Sequence, residues 1–544
     1  MSNGGHPLPA ADDLSAQGLQ DRPGRWLRDL FAPLDHLLVA GGDNRLALVP
    51  ATRMNAYFCR PLPCPDSLEF SSSTATSISL RGYEAAGRAR GALMQAAIRD
   101  GIEDAFDARI DAMRSELRGV LGLASDVDVV FSASGTDAQL QALYLGRALL
   151  GASPTTLVVA ADQTGSGTVF TARGQHFGER TANDHKVTKG TRLDGLAQPV
   201  ECIALSLRND VGEIRCEAET DALVLQAVDR LVSRGDRVLL QAMDCSKLGW
   251  RAPSDALLRD IAKRWPHQVQ VVIDACQMRL SRRRIARYLD DGFMVLLTGS
   301  KYFTGPPFCG ALLLPPTITR RLAATEFDLG GLDAYNSTSD WPRAWRTARA
   351  QLPAKPNFGQ WLRWETALDE ITAYYAVPDE FRHRALSVLG DGIARMIAAS
   401  PHLRLLPLPP IGDVEFDDEM ALPTIFGFTL TRRGATLSLD NCKAIHRALA
   451  QTSNDVRDGL FASLACILGQ PVEWRDAHGQ SVAALRLCIS ARHVTDSWSA
   501  DPAVAQTNLS RLLDQVAIAI IQIETLLQQP ETATSEVPHG HSAH

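Results

Sequence analysis

A series of short segments in this chain are apolar throughout and separated by helix-forming ones. VDVVF (127–131), TLVVAA (156–161), VLLQA (238–242), VQVVI (269–273) and FMVLL (293–297) do not alternate apolar with polar residues. A strand apolar on both sides must be covered on both sides, as in a parallel sheet carrying helices on each face. The intervening segments at 137–150, 219–234, 254–265 and 282–291 supply those helices. A helix over Ala105–Leu121, with Phe106, Ile110, Met113, Leu117 and Leu121 at spacings of three and four, leads into the first strand. The alternation predicts an α/β domain over 85–325.

The order changes further on. A Trp- and Arg-rich helical connection occupies 326–399, densest at 338–398. Beyond it, strands at Leu422–Leu430 and Ala483–Ala491 alternate with helices at 439–452 and 503–528. That order predicts a smaller α+β C-terminal domain over 400–530. Ahead of the large domain, 23–84 reads as an N-terminal arm. Residues 1–22 and 531–544 are poor in core-forming types and are expected to be disordered. The segment Ser71–Ser79 has seven hydroxylated residues among nine and reads as either a substrate-contacting loop or a flexible connector, composition slightly favouring the connector.

Composition narrows the function classes. With 62 acidic and 55 basic residues spread along 544, the net charge is −7, and no basic face points to nucleic acid or polybasic run to a membrane. No apolar stretch approaches the roughly 20 residues that span a bilayer, and the opening lacks a signal-like apolar region, so a cytoplasmic location is expected. The ten cysteines form no C-x-x-C, and Cys59 and Cys64 lack a second pair at zinc-ligand spacing. His539, His541 and His544 sit in a tail without packed surroundings, so no metal site is expected.

Seven lysines stand against 48 arginines, which shortens the search for a reactive amine. In Val271–Gly310 one apolar strand ends in Asp274, and the next ends in Thr298-Gly299-Ser300-Lys301. The carboxyl ends of parallel strands line the ligand crevice of an open α/β sheet, so a carboxylate and an amine should face one ligand. Upstream, Ser132-Ala133-Ser134-Gly135-Thr136-Asp137 passes from a strand into a helix, where free N–H groups and the helix dipole suit a phosphate and Gly135 would let it approach. A phosphate cradle, a strand-end aspartate and a strand-end lysine together are what pyridoxal phosphate requires.

Here the chain resembles the fold-type I pyridoxal-phosphate enzymes, in particular the class V aminotransferase and cysteine desulfurase group. The matching motifs are Ser134-Gly135-Thr136-Asp137-Ala138, Asp274-Ala275-Cys276-Gln277, and Thr298-Gly299-Ser300-Lys301 with Gly305-Pro306 and Gly310 behind it. The resemblance implies that fold, with a mostly parallel central sheet flanked by helices, and a homodimer. It implies that Lys301 forms the Schiff base with the cofactor, Asp274 pairs with the ring nitrogen and Gln277 bonds the phenolic oxygen. Ser134, Gly135, Thr136 and Ser300 would hold the phosphate.

Three positions depart from the family pattern. Ser300 stands where class V members often have histidine. Gln163 stands near the place of the ring-stacking histidine and cannot shuttle a proton as imidazole does. Cys245-Ser246-Lys247-Leu248-Gly249 replaces an asparagine turn and makes Lys247 the second candidate lysine. For a substrate carboxylate, the period of two along 485–492 places Arg486 and Arg492 on one strand face.

The expected activity is that of an aminotransferase or lyase on an amino acid or amine. A decarboxylase, or a non-catalytic cofactor-binding sensor, is the alternative. The usual desulfurase arrangement is disfavoured, since no cysteine lies between Cys309 and Cys442. No G-x-S-x-G elbow suggests a serine hydrolase.

Overall fold

Two sheets organise the computed structural model, which describes residues 22–151, 153–323, 325–451, 464–476 and 478–529. In chain order the strands are β1 (Ser67–Phe70), β2 (Asp128–Ser132), β3 (Thr155–Val159), β4 (Cys202–Leu205), β5 (Val238–Met243), β6 (Val269–Asp274) and β7 (Met294–Thr298). They continue with β8 (Gly310–Leu314), β9 (Leu403–Leu405), β10 (Ile425–Arg432), β11 (Ala435–Thr436), β12 (Ala465–Arg475) and β13 (Ser481–Cys488).

The larger sheet has the order β2-β8-β7-β6-β5-β3-β4. All its strands run one way except β8, which lies antiparallel between β2 and β7. Strands β3, β5, β7 and β8 are buried at every residue, which is why they read as unbroken apolar runs. The α/β class with a mostly parallel central sheet is therefore what the chain forms. Two strands escape the sequence pattern. The edge strand β4 is only partly buried, and β8 follows its neighbour β7 through a Gly- and Pro-rich loop without an intervening helix.

The second sheet runs β1-β12-β13-β10-β11, with β9 paired to β10. Strand β1 comes from the stretch read as an arm and pairs parallel to β12, Ser67 opposite Ala465. Residues 23–84 thus supply a strand to the sheet formed by the C-terminal residues. Strand β12 was hidden because Gly469-Gln470-Pro471 interrupts its alternation, and the register with β13 shifts between Gly469 and Val472. The predicted strand to Ala491 ends at Cys488, because Ser490 caps the helix Ala491–Ser497 through the His493 N–H.

The connection is helical, as its composition suggests, and its long helix Phe358–Ala376 buries Trp361 and Trp364 in the main core. Arg363 on that helix is fully buried and donates to the carbonyls of Leu38, Ala40, Gly41 and Phe308, pinning the N-terminal residues beside the large sheet. Residues 1–21 and 530–544, with His539, His541 and His544, lie outside the described residues; Arg22, assigned to the N-terminal tail, begins the helix Arg22–Leu30. Among the described residues no helix is long and apolar enough to cross a membrane, and no group of three or more His, Cys, Asp or Glu is placed to hold a metal. All ten cysteines are free.

Candidate active site

At the carboxyl end of the large sheet lies a cavity of about 170 Å³ lined by Ser134, Gly135, Thr136, Gln163, Lys247, Asp274, Gln277, Ser300, Lys301 and Arg486. Parallel strands bring most of these together, since β6 ends at Asp274 and β7 three residues before Lys301. Asp274 is held on two sides: its Oδ1 accepts the Cys276 N–H at 3.1 Å and its Oδ2 accepts Gln139 Nε2 at 3.2 Å. Gln139 is itself oriented by Thr171, whose hydroxyl donates to its Oε1 at 2.8 Å. The Lys301 side chain has no hydrogen-bond partner among the described residues.

The cradle is the N-terminus of the helix Gly135–Leu150, capped by Ser134, whose Oγ accepts the Asp137 N–H. First-turn N–H groups have no partner inside a helix and are available to an anion. The glycine here has a different purpose from the one its sequence suggests. A Cβ on Gly135 would stand 2.6 Å from Cys276 Sγ and 3.0 Å from Thr298 Cγ2, so the missing side chain lets the helix seat on the ends of β6 and β7.

A residue that the sequence reading missed completes the cradle. Arg45 donates from Nη2 to Ser134 Oγ at 3.1 Å and from Nη1 to Thr136 Oγ1 at 3.4 Å. It is gripped by Asp43 at 2.6 Å and lies over the Phe308 ring, 4.5 Å from its centroid. Burial opposes the Arg45 charge, but Asp43 carries its pKa above the ordinary value. Burial and Asp43 push the neighbouring Asp137 carboxyl up to about 7. Among 48 arginines nothing in the sequence marks Arg45; the segment is brought here by distant contacts, Arg363 and Asn357 holding the carbonyls of Leu38–Gly41.

The remaining predicted residues are placed as follows. Gln277 donates to the Ser73 carbonyl at 3.0 Å and accepts from Arg279, leaving one amide N–H uncommitted. Gln163 is buried, and its Oε1 has no partner among the described residues. Arg486 is buried at the cavity wall. Arg492 is a correction: because β13 has already ended, it sits on the helix Ala491–Ser497 and donates to the carbonyls of Ser77 and Thr304, away from the cavity. The connector reading of Ser71–Ser79 is also corrected. Ser71, Ser72, Ser73, Thr76 and Ser77 are buried, and Ser73 and Thr74 line the cavity. Their hydroxyls serve as compact polar packing: Ser72 meets Arg279, and Thr74 meets Arg486.

No protein-family model matches the chain, and no curated protein is similar to it. Solved structures similar to it include mouse CSAD, at 16% identity and a TM-score of 0.46 over 84% of this chain and 83% of that one. Another is the cystine C-S lyase C-DES, at 14% identity and a TM-score of 0.47 over 83% and 98%. A third is the glutamate decarboxylase domain of a diaminobutyrate-pyruvate transaminase and L-2,4-diaminobutyrate decarboxylase from Vibrio parahaemolyticus, at 14% and 0.45 over 84% and 81%. The chemistry is carried by the cavity's own residues.

Proposed function

We propose that the chain is a pyridoxal-phosphate enzyme acting on an amino acid or amine. The observation that carries this reading is the convergence of an unpartnered lysine, a positioned strand-end carboxylate and a helix-terminus anion cradle in one cavity. The residues fit the cofactor from end to end. Free first-turn N–H groups and Arg45 suit its phosphate, Asp274 suits a protonated ring nitrogen, and the orphaned Gln163 Oε1 awaits a donor.

When bound, pyridoxal phosphate supplies a carbonyl that condenses with amines and a ring that draws off electrons. Lys301 Nζ is the amine for that carbonyl and the group to take up or return a proton at the substrate Cα. Asp274 keeps the ring nitrogen protonated, with Gln139 and the Cys276 N–H fixing its carboxylate. Ser134, Gly135, Thr136 and Ser300 hold the phosphate with Arg45. Gln277 offers its remaining N–H to the phenolic oxygen, and Arg486 takes the substrate carboxylate.

The reaction proposed is transamination or elimination, with decarboxylation as the alternative outcome and a cytoplasmic homodimer as the working form. Borohydride reduction of the loaded protein followed by peptide mapping tests the assignment. The label is expected on Lys301; a label on Lys247, or none, overturns it. Incubation with a panel of amino acids, followed by product analysis, separates an enzyme from a non-catalytic binder.

A further inference from the structure

Not every cation lining the cavity has a role toward the cofactor. Arg45, Lys247, Lys301 and Arg486 line it against a single carboxylate, Asp274. Arg45 is paired with Asp43 at the cradle end, and Lys301 and Asp274 have their roles toward the cofactor. Two cations remain at the other end.

Arg486 is buried and meets only neutral acceptors. Its Nε and Nη2 donate to the Gln470 carbonyl at 3.1 and 2.8 Å, Nη2 to Thr74 Oγ1 at 2.9 Å, and Nη1 to the Lys247 carbonyl at 3.2 Å. The guanidinium is fixed in place, yet among the described residues no carboxylate is paired with it. Lys247 is joined to it through that same carbonyl, and its own amine has no hydrogen-bond or ion-pair partner among the described residues. Burial first, then Arg486 and Lys301, pushes the Lys247 amine down to about 8. Asp162 is the one carboxylate acting on it, and Asp162 already accepts the Leu207 N–H at 2.7 Å. Buried Arg486 and half-buried Lys247 thus stand side by side with no carboxylate paired to either among the described residues, and a ligand carboxylate would supply the missing charge.

We propose that the substrate is a dicarboxylic amino acid, with one carboxylate on Arg486 and the second on Lys247. This rests on the cofactor reading above and names the substrate class of that site. A neutral amino acid would satisfy Arg486 and leave Lys247 without a partner.

The test uses the cofactor-loaded protein and two acids that lack an amine, glutarate and butyrate, titrated calorimetrically. Glutarate is expected to bind roughly tenfold or more tightly than butyrate, the gain from one additional charged hydrogen bond. Lys247→Gln should abolish that preference while leaving butyrate affinity nearly unchanged, and Lys247→Arg, which keeps the charge, should retain it. Equal affinity for the two acids in the wild type, or a preference that survives Lys247→Gln, overturns the inference. Cofactor loading is read separately by absorbance. A chain that never loads refutes the reading on which this rests and the inference with it; a loaded chain without the preference refutes the inference alone.

Discussion

Gly310→Ala tests the cradle without altering any group that would touch a ligand. Gly310 opens β8, opposite Ser132 on one side and Thr298 on the other. A Cβ there would lie 2.3 Å from the Ser134 carbonyl oxygen and 2.4 Å from its carbon. Both are main-chain atoms, so no side chain can swing away. Restoring ordinary contact at about 3.4 Å requires Ser134 to retreat by roughly 1 Å, and the first turn of the helix Gly135–Leu150 must move with it. Each N–H···phosphate bond that is lost forfeits about 1.5–3 kcal/mol, so pyridoxal phosphate should bind about ten- to hundredfold more weakly for each. The assay is an absorbance titration of cofactor-free protein, with circular dichroism to confirm that the fold persists. Gly91→Ala is the control: Gly91 sits in the helix Leu80–Asp100 with nothing within 4 Å of its added Cβ, so cofactor affinity should not move. Wild-type affinity in Gly310→Ala would refute the placement of the phosphate at Ser134–Thr136.

Asp274→Asn should keep the fold and the covalent link to Lys301 while abolishing most turnover, because an amide cannot hold the ring nitrogen protonated; activity within a few-fold of wild type would make Asp274 structural. Arg486→Lys keeps a charge but loses the bonds to Gln470 and Thr74 that fix the guanidinium and its one uncommitted N–H, so amino-acid binding should weaken by about 1.5–3 kcal/mol with cofactor loading unchanged, both read by titration. Lys247 predicts a pH signature. Its folded pKa of about 8 lies below its ordinary 10.5, so between those values the unfolded chain holds a proton that the folded chain has lost, and stability rises with pH across that window. Lys247→Met should therefore stabilise the ligand-free protein, by up to about 3 kcal/mol below pH 8, with the gain fading toward pH 10.5. Urea unfolding midpoints across pH measure this, and a gain independent of pH would contradict it.

The legibility of this chain follows the range over which each signal acts. Asp274 and Lys301 end consecutive buried strands, and their meeting is a consequence of sheet topology that apolar runs alone disclose. Ser134 and Thr136 open a helix directly after a strand, again a local pattern. Arg492 failed because parity holds only while a strand lasts, and the cap at Ser490 ends this one early. Ser71–Ser79 was misread because hydroxyl-rich composition is equally compatible with solvent and with a tight polar seam. What decides is the presence of partners such as Arg279 and Arg486, which come from distant segments.

Arg45 carries that point furthest, because its place is set by a residue more than 300 positions away. Among the described residues Arg363 has no carboxylate partner; it donates to the carbonyls of Leu38, Ala40 and Gly41, and burial lowers its pKa to about 10. It also donates to the Phe308 carbonyl at 2.7 Å, while the Phe308 ring lies under the Arg45 guanidinium. One buried guanidinium therefore fixes both the backbone leading to Arg45 and the aromatic surface on which Arg45 rests. Removing it would leave the carbonyls of Leu38, Ala40 and Phe308 without a donor, Gly41 keeping only the Asn357 amide, and free the cradle arginine from both sides. Arg363→Met should thus weaken cofactor binding through Arg45 in addition to destabilising the fold. A double-mutant cycle of Arg363→Met with Arg45→Gln, read as cofactor affinity, isolates the shared part. Strict additivity of the two losses would show that Arg363 supports the core alone and that the cradle is positioned by other contacts.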